Sequence, residues 1–260
     1  MLFRSKEVSK KDKKLGVDTI FTKVNENYDL MNDLMSLGTH RAMKHMAVEL
    51  ARAQSGHRVL DVAGGTGDLT AILKKRVGSE GQVVLLDINE AMVSVGRDRL
   101  LDQGLSDTAF VIGDAESLPL RAQTFDAATM AFGLRNVTNK LAALTSIRTV
   151  LKPGARLVVL EFSKVTSAQL EPAYRFFQSL WPKVGRLVTG DGAPYQYLVE
   201  SIEMHPDQET LAAMMREAGF VNVGFNNLMG GSSAIHYGEA PLSTSTEPSP
   251  PRSTLDTPPR

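Results

Sequence analysis

A glycine-rich turn and three aspartates are the residues of this chain best suited to binding a polar ligand. Gly65-Thr66-Gly67 follows an apolar run that contains Asp61, while Asp87 and Asp114 come at or just after the ends of two later apolar runs. Glycines leave the backbone N–H groups of a turn accessible, and a helix that begins there adds the positive end of its dipole. Carboxylates accept hydrogen bonds from hydroxyl and amino groups. The combination predicts a site for a ligand that carries such groups.

The elements that position these residues form an alternating pattern of strands and helices. The predicted strands cover 59–62, 82–87, 108–112, 125–132 and 156–162, and a predicted terminal hairpin covers 221–227 and 232–237. Helices are predicted over 17–35, 41–51, 68–77, 89–103, 139–151, 167–188, 195–203 and 207–218. Strands separated by helices of this length pair in parallel. The predicted fold class is therefore α/β, a Rossmann-like doubly wound sheet, mostly parallel, with a C-terminal antiparallel hairpin and an N-terminal helical cap.

Composition and charge limit the classes of protein to which the chain can belong. Its 260 residues, 42% of them hydrophobic, predict a single domain over 17–239, preceded by a mobile basic arm (1–16) and followed by a disordered Pro/Ser/Thr-rich tail (240–260). Lys+Arg and Asp+Glu both number 29, which disfavours a nucleic-acid partner. The chain has no cysteine, so thiolate metal sites and a cysteine nucleophile are excluded, and we predict no metal site.

The position of Asp87 identifies the ligand of this site as a nucleoside. A carboxylate that ends the second strand, about 20 residues beyond a glycine turn, accepts hydrogen bonds from a ribose diol. The dinucleotide motif G-x-G-x-x-G requires a third glycine where Thr70 stands, which disfavours a nicotinamide cofactor. Asp61 can receive the amino group of a methionine moiety, and Asp114, beside the backbone of Ala115, can accept the adenine amino group. Each aspartate alone is more often a helix cap or a surface residue, but the three together favour S-adenosylmethionine.

Two longer stretches are more distinctive than the glycine turn, namely Tyr-Asp-Leu-Met-Asn-Asp at 28–33 and Gly-Leu-Arg-Asn-Val-Thr at 133–138. With these and further motifs at 61–70, 87–90, 151–154, 160–163 and 204–207, the chain resembles the ubiquinone/menaquinone biosynthesis C-methyltransferase family over 21–237. That family consists of class I methyltransferases that use S-adenosylmethionine to methylate polyprenylated quinols. The resemblance implies cofactor contacts at five positions: Thr66, Asp87, Asp114, Ala115 and Ala131. Relatives can carry serine at position 131, so only a backbone contact carries over to Ala131.

The catalytic residues must make a ring carbon nucleophilic. Without cysteine the covalent route is closed, but removal of a phenolic proton, whose pKa is about 10, directs electron density onto the adjacent ring carbon. Arg135 can stabilise the developing phenolate, Asn136 can orient a hydroxyl, and Tyr28 or His205 can relay the proton through water. Two structural alternatives stay open: Arg135 can form a salt bridge that ties its loop down, and His205 can be a core or helix-start histidine.

The sequence thus predicts C-methylation of a polyprenylated quinol, from demethylmenaquinol to menaquinol, in ubiquinone synthesis, or in both. A small-molecule O-methyltransferase and a non-catalytic cofactor-binding subunit are the alternatives. No apolar run reaches the roughly 18 residues of a membrane span, so we expect a cytoplasmic protein that is peripherally associated with the inner face of the membrane. Transient contact with that surface is assigned to the basic run 4–14, for which a plain solvated tail is the alternative. The oligomeric state, a homodimer included, is left open.

Overall fold

The computed structural model describes residues 38–189 and 192–242. The strands in this part of the chain are β1 (Arg58–Val62), β2 (Gln82–Asp87), β3 (Ala109–Ile112), β4 (Phe125–Ala131), β5 (Leu151–Phe162), β6 (Val221–Leu228) and β7 (Ser233–Glu239). The helices are α1 (His40–Leu50), α2 (Asp68–Val77), α3 (Glu90–Asp102), α4 (Lys140–Val150), α5 (Glu171–Thr189), α6 (Ala193–Met204) and α7 (Gln208–Glu217). Short 3-10 turns cover Ala115–Ser117, Leu134–Asn136 and Met229–Gly231.

The strands form one seven-stranded sheet in the order β3-β2-β1-β4-β5-β7-β6. The first five strands pair in parallel, whereas β7 runs antiparallel to both β5 and β6. The order reverses between β1 and β4, so the carboxyl ends of β1, β2 and β4 lie next to one another. Ligands of open α/β sheets bind beyond this edge, at the point where the strand order reverses. The predicted doubly wound fold with a C-terminal antiparallel hairpin is confirmed.

Helices cover both faces of the sheet, because the central strands direct apolar side chains to each face. Val59 and Val83 pack with α1, α2, α5 and α6 in one core, whereas Leu60 and Val84 pack with α4 and α7 in a second core. All four side chains are at most 2% exposed. Parallel strands buried on both faces read as continuous apolar runs, which is why β1 and β2 are recognisable from sequence.

The helix starts follow local capping signals that the sequence carries. Asn89 accepts a hydrogen bond from the N–H of Met92 (3.0 Å) and caps α3, as predicted. Asp207 caps α7 in the same way through the N–H of Thr210 (2.8 Å). These side chains accept bonds from N–H groups that would otherwise lack a partner within the helix.

One predicted boundary in the sheet is wrong. Lys152-Pro153-Gly154 was expected to separate a helix from a strand that starts at 156, but β5 already begins at Leu151, which pairs with Phe125. The next pair in the register joins Ala127 to Arg156. Between these two pairs β5 contains three more residues than β4, so Lys152-Pro153-Gly154 lie in a bulge within β5. Smaller shifts occur at β4, which ends at Ala131, and at α5, which begins at Glu171 rather than 167.

Several predictions concern parts of the chain outside the described residues. These are the basic arm, the first helix of the predicted N-terminal cap, the candidate residue Tyr28 and all but the first three residues of the predicted tail. The single-domain assignment over 17–239 stays a prediction. Among residues 38–189 and 192–242, none of the helices is long and apolar enough to cross a membrane.

Candidate cofactor and substrate site

Asp87 connects the end of β2 to the glycine turn after β1. Its Oδ2 accepts a hydrogen bond from the N–H of Gly65, and its Oδ1 accepts one from the N–H of Asn89, both at 2.9 Å. A carboxylate accepts several hydrogen bonds at once, because each of its oxygens has two lone pairs. The carboxylate is half-buried, beyond the strand ends, where it can accept hydrogen bonds from a ribose diol.

The glycine turn is shaped by residues with left-handed backbone conformations. Gly67 has φ +83° and immediately precedes α2, and its N–H donates to the carbonyl of Gly64 (3.0 Å). Only glycine adopts such a φ without strain, so the predicted role of Gly67 in the turn has a direct structural cause. Thr66 is buried (4% exposed) between Gly65 and Gly67. The N-terminus of α2, with its positive dipole end, therefore lies beside this turn.

Asp61 is a buried acid beneath the turn, held by two threonines. The hydroxyl of Thr70 donates to Oδ2 (2.6 Å) and that of Thr129 donates to Oδ1 (2.9 Å). The residue is only 1% exposed. Burial raises the pKa of Asp61 to about 6, although the two hydroxyl bonds and the positive charge of Lys44 lower it. Asp61 therefore carries its negative charge at neutral pH in a desolvated position, where an ammonium group would be a favourable partner.

The remaining predicted cofactor residues lie at the ends of β3 and β4. Asp114 precedes the 3-10 turn, and its Oδ1 accepts from the N–H of Glu116 (3.0 Å). Ala115 is buried beside it (8% exposed). Ala131, the last residue of β4, lines the same cavity as Asp61 and Gly65. The structure thus brings together the residues predicted from the ends of β1, β2 and β4, with Asp114 and Ala115 at the end of the neighbouring β3.

Arg135 follows β4 and forms a buried ion pair with Glu161 of β5. Its Nη1 lies 2.7 Å from Oε1 of Glu161, and both side chains are 2% exposed. Nη1 also donates to the carbonyl of Phe132, and the backbone N–H of Arg135 donates to Oε2 of Glu161 (3.1 Å). The guanidinium carbon lies 5.6 Å from the ring centroid of Phe162. The salt bridge left open by the sequence is therefore present, and the catalytic role of Arg135 stays a prediction.

The loop that carries Arg135 packs directly on the turn after β1. A Cβ atom on Gly133 would lie 2.5 Å from Cβ of Ala63, so only glycine permits this approach. Asn136, next to Arg135, accepts a hydrogen bond at Oδ1 from the hydroxyl of Tyr197 in α6 (3.0 Å). The loop is thus fixed both to the cofactor side of the site and to the helical layer.

His205 ends α6 and is buried rather than facing solvent (3% exposed). Burial lowers its pKa to about 4, and the positive charges of Lys140 and Arg135 act in the same direction, whereas Glu161 opposes them. The imidazole is therefore neutral near pH 7. Its Nδ1 has no hydrogen-bond partner among residues 38–189 and 192–242. His205 is therefore buried, and its role in a proton relay stays a prediction.

Sequence reasoning assigned no role to three polar residues that line or support this site: Lys44, Glu161 and Tyr197. Glu161 is a charged residue within an otherwise apolar strand, and Lys44 is a charged residue between the apolar positions 43 and 47 of α1. Charges at such positions are costly to bury without a partner, which is the signal that could have found them. Within the described ranges, no group of three or more His, Cys, Asp or Glu residues could hold a metal ion.

Solved structures with the same fold include methyltransferases of low sequence identity to this chain. A S-adenosylmethionine-dependent methyltransferase from Aquifex aeolicus superposes with a TM-score of 0.57 at 21% identity, covering 76% of this chain and 89% of that one. A putative methyltransferase from Bacillus halodurans gives 0.58 at 16% identity, covering 76% and 99%. These likenesses show that the fold is the Rossmann-like fold of S-adenosylmethionine-dependent methyltransferases.

The sequence places the chain more narrowly within that class. Residues 6–240 match the ubiE/COQ5 methyltransferase family. This chain belongs to that family and uses S-adenosylmethionine as its cofactor. Similar curated proteins include the ubiquinone/menaquinone biosynthesis C-methyltransferases of Pseudomonas paraeruginosa, 54% identical over 92% of this chain and 94% of that protein, and of Idiomarina loihiensis, 51% identical over 91% and 95%.

Proposed function

We propose that this protein transfers a methyl group from S-adenosylmethionine to a ring carbon of a polyprenylated quinol. The substrate is demethylmenaquinol, which becomes menaquinol, or 2-polyprenyl-6-methoxy-1,4-benzoquinol in ubiquinone synthesis, or both. The observation that carries this proposal is the identity above 50% with curated ubiquinone/menaquinone C-methyltransferases over more than 90% of each chain. Identity of this extent covers the sheet, the strand ends and the loop of Arg135 alike.

The cofactor site fits S-adenosylmethionine group by group. Asp87 accepts hydrogen bonds from the ribose hydroxyls, since its carboxylate lies half-buried at the end of β2, beside the glycine turn to which its bond with Gly65 ties it. Asp61 receives the ammonium group at the bottom of the turn. Asp114, with the backbone of Ala115 beside it, accepts a hydrogen bond from the adenine amino group. When bound, the cofactor supplies a methyl group made electrophilic by its sulfonium.

Arg135 and Asn136 act on the acceptor ring in this proposal. A quinol must lose a phenolic proton so that the adjacent ring carbon can form the new C–C bond as the S–C bond breaks. That carbon then loses its own proton to restore the aromatic ring. Arg135 stabilises the phenolate by its fixed positive charge, which the buried pair with Glu161 holds at the strand end. Asn136, held by Tyr197, orients a ring hydroxyl through its amide.

The proton acceptor is constrained by the properties of His205. A group with a pKa of about 4 is a poor resting acceptor for a phenol whose pKa is about 10. Its neutral imidazole can instead accept a hydrogen bond from a water molecule or a ring hydroxyl. Tyr28, which lies outside the described residues, remains a proposed participant in the proton relay.

The prenyl chain of the substrate brings the enzyme to a membrane surface. Leu170, Phe176 and Met229 are apolar and more than half exposed (52, 68 and 51%). Leu170 lies beside the turn that contains Met229, since its Cδ1 is 2.8 Å from where a Cβ of Gly230 would be. We assign the prenyl chain to this apolar surface and the first contact with the bilayer to the basic run 4–14. The enzyme is then cytoplasmic and peripheral to the inner face of the membrane.

Product analysis tests the proposal directly. The purified full chain is incubated with a short-prenyl demethylmenaquinol and S-adenosylmethionine labelled with carbon-13 in its methyl group, and the product is examined by NMR. A labelled methyl group bonded to a ring carbon is the expected result. A label on oxygen would make the protein an O-methyltransferase, and no transfer despite tight cofactor binding would favour a non-catalytic subunit.

A further inference from the structure

The cavity under the glycine turn is lined by a cation as well as by acids. It is small, about 30 Å³, which is room for two groups of about the size of water, such as an ammonium group and a carboxylate oxygen. The cation is Lys44 of α1, and its positive charge partly offsets the rise that burial causes in the pKa of Asp61. The lining residues that matter here are Lys44, Asp61, Gly65, Asp68 and Ala131.

Lys44 is buried to an extent that lysine rarely reaches without a partner. Its side chain is 8% exposed, and Nζ lies 3.0 Å from Oδ2 of Asp68 at the start of α2. Asp68 also has Nη2 of Arg99 at 3.2 Å from Oδ1, so its one negative charge is shared by two cations. Although burial raises the pKa of Asp68, Lys44 and Arg99 together bring it below its ordinary value.

The ammonium of Lys44 has the capacity to bind a second anion. It carries three N–H donors, and within residues 38–189 and 192–242 the bond to Asp68 is the only hydrogen bond that it makes. Asp61, by contrast, faces the same cavity with a negative charge. A cavity with one anion and one cation on its walls matches a small zwitterion.

We propose that Lys44 binds the carboxylate of the methionine moiety of S-adenosylmethionine, while Asp61 binds its ammonium group. This inference rests on the proposed function only for the identity of the cofactor and not for the quinol. Lys44 lies on α1, before the sheet begins, and therefore outside the strand ends from which the other cofactor contacts come. In this arrangement α1 is a wall of the cofactor site as well as a core helix.

Lys44→Met preserves most of the volume of the side chain and removes its charge. Loss of one charge-assisted hydrogen bond corresponds to a decrease in affinity of about ten- to hundredfold. The decrease should depend on the carboxylate of the ligand. Decarboxylated S-adenosylmethionine keeps the adenosine, the sulfonium and the amino group but lacks the carboxylate, so it separates the role of Lys44 from that of Asp61.

Calorimetry with S-adenosylmethionine and its decarboxylated analogue tests this assignment without any quinol. The wild-type protein should prefer S-adenosylmethionine by about ten- to hundredfold, and Lys44→Met should lose that preference while binding the analogue unchanged. Asp61→Asn should weaken both ligands, and Lys44→Arg should keep the preference. Lys75→Met, at an exposed position of α2, is the matched control.

Three results would overturn the assignment. Equal losses for both ligands in Lys44→Met would mean that the residue acts only by holding Asp68 and the turn. Equal affinities of the wild-type protein for the two ligands would exclude a carboxylate contact, whether or not any variant folds. Absence of binding of either ligand would overturn the cofactor site itself. Failure of quinol methylation alone leaves these measurements unaffected, so the two proposals fail separately. If Lys44→Met does not unfold cooperatively, Lys44→Gln, which keeps a hydrogen bond to Asp68, replaces it.

Discussion

Glu161→Gln should destabilise the fold and slow methyl transfer, because it leaves Arg135 buried beside a neutral partner. The pair is separated by 2.7 Å with both side chains 2% exposed, and removal of one member of such a buried pair costs about 3–5 kcal/mol. Gln keeps one oxygen, which can still accept from the backbone N–H of either Arg135 or Phe162, so we expect about 3 kcal/mol, the lower end of this range. For a domain of this size that corresponds to a decrease in melting temperature of roughly 6–12 °C.

Calorimetric melting and urea titration measure this loss, and Glu80→Gln, an exposed glutamate between α2 and β2, is the matched control. Arg135→Met should cost a similar amount, and the double variant should be more stable than the sum of the two single effects by about 2 kcal/mol or more, since no charge is then left unpaired. Cofactor affinity should change little in all three. A decrease in melting temperature of under about 2 °C in Glu161→Gln, or strictly additive losses, would refute the view that this pair holds the loop.

Three further outcomes follow from the site. Asp87→Ala should lower the affinity for S-adenosylmethionine at least about tenfold in calorimetry, because it removes charge-assisted bonds to the ribose. Asp102→Ala, at the exposed end of α3, is the control and should have no effect, whereas unchanged affinity in a folded Asp87→Ala would remove the residue from the site. The pKa of Asp61 is about 6, above its ordinary value, so protonation of Asp61 should raise the dissociation constant of S-adenosylmethionine about tenfold from pH 7 to pH 5. The same pH profile in Asp61→Asn would assign the effect to another group. Deletion of residues 1–14 should reduce sedimentation with anionic liposomes at low salt and preserve activity on a short-chain quinol, whereas unchanged sedimentation would assign membrane contact to the apolar surface.

The shifted pKa values of Asp61 and His205 also affect folding, and the sign of the effect differs between these two buried groups. Asp61 binds its proton more tightly when folded, so between about pH 4 and pH 6 it makes the protein less stable as pH rises. His205, whose pKa falls to about 4, makes the protein more stable as pH rises from about 4 to 6.5. The two contributions oppose each other, so a flat stability profile of the whole protein in this range does not mean that either group is unperturbed.

The candidate residues whose places in the fold the sequence predicts are those marked by local signals. Strand ends are marked by the change from apolar residues to glycine or aspartate, and the fold places parallel strand ends side by side, so Asp61 and Asp87 could be found together. Glu161 could not be assigned as the partner of Arg135, because 26 residues separate them and only the pairing of β4 with β5 joins them. Lys44 was missed for the same reason, since its partner Asp68 belongs to another helix.

The bulge in β5 was also beyond local reasoning. Lys152-Pro153-Gly154 has the composition of a turn, and Gly154 does adopt a left-handed φ of +76°. Composition predicts the bend but not its place in the hydrogen-bonding pattern, which depends on Leu151 already being paired with Phe125. Side-chain preferences fix the local backbone, whereas register is fixed by the neighbouring strand.

The position of β7 has a consequence for biosynthesis. It follows β6 in the chain, yet it lies between β5 and β6 in the sheet. Until Ser233–Glu239 has left the ribosome, the main-chain groups of β5 along that side have no neighbour, and β6 has no strand on which to dock. A nascent chain in this state presents an open apolar edge that can pair with other chains. Slower delivery of this last strand therefore lengthens the time during which the side of β5 stays unpaired.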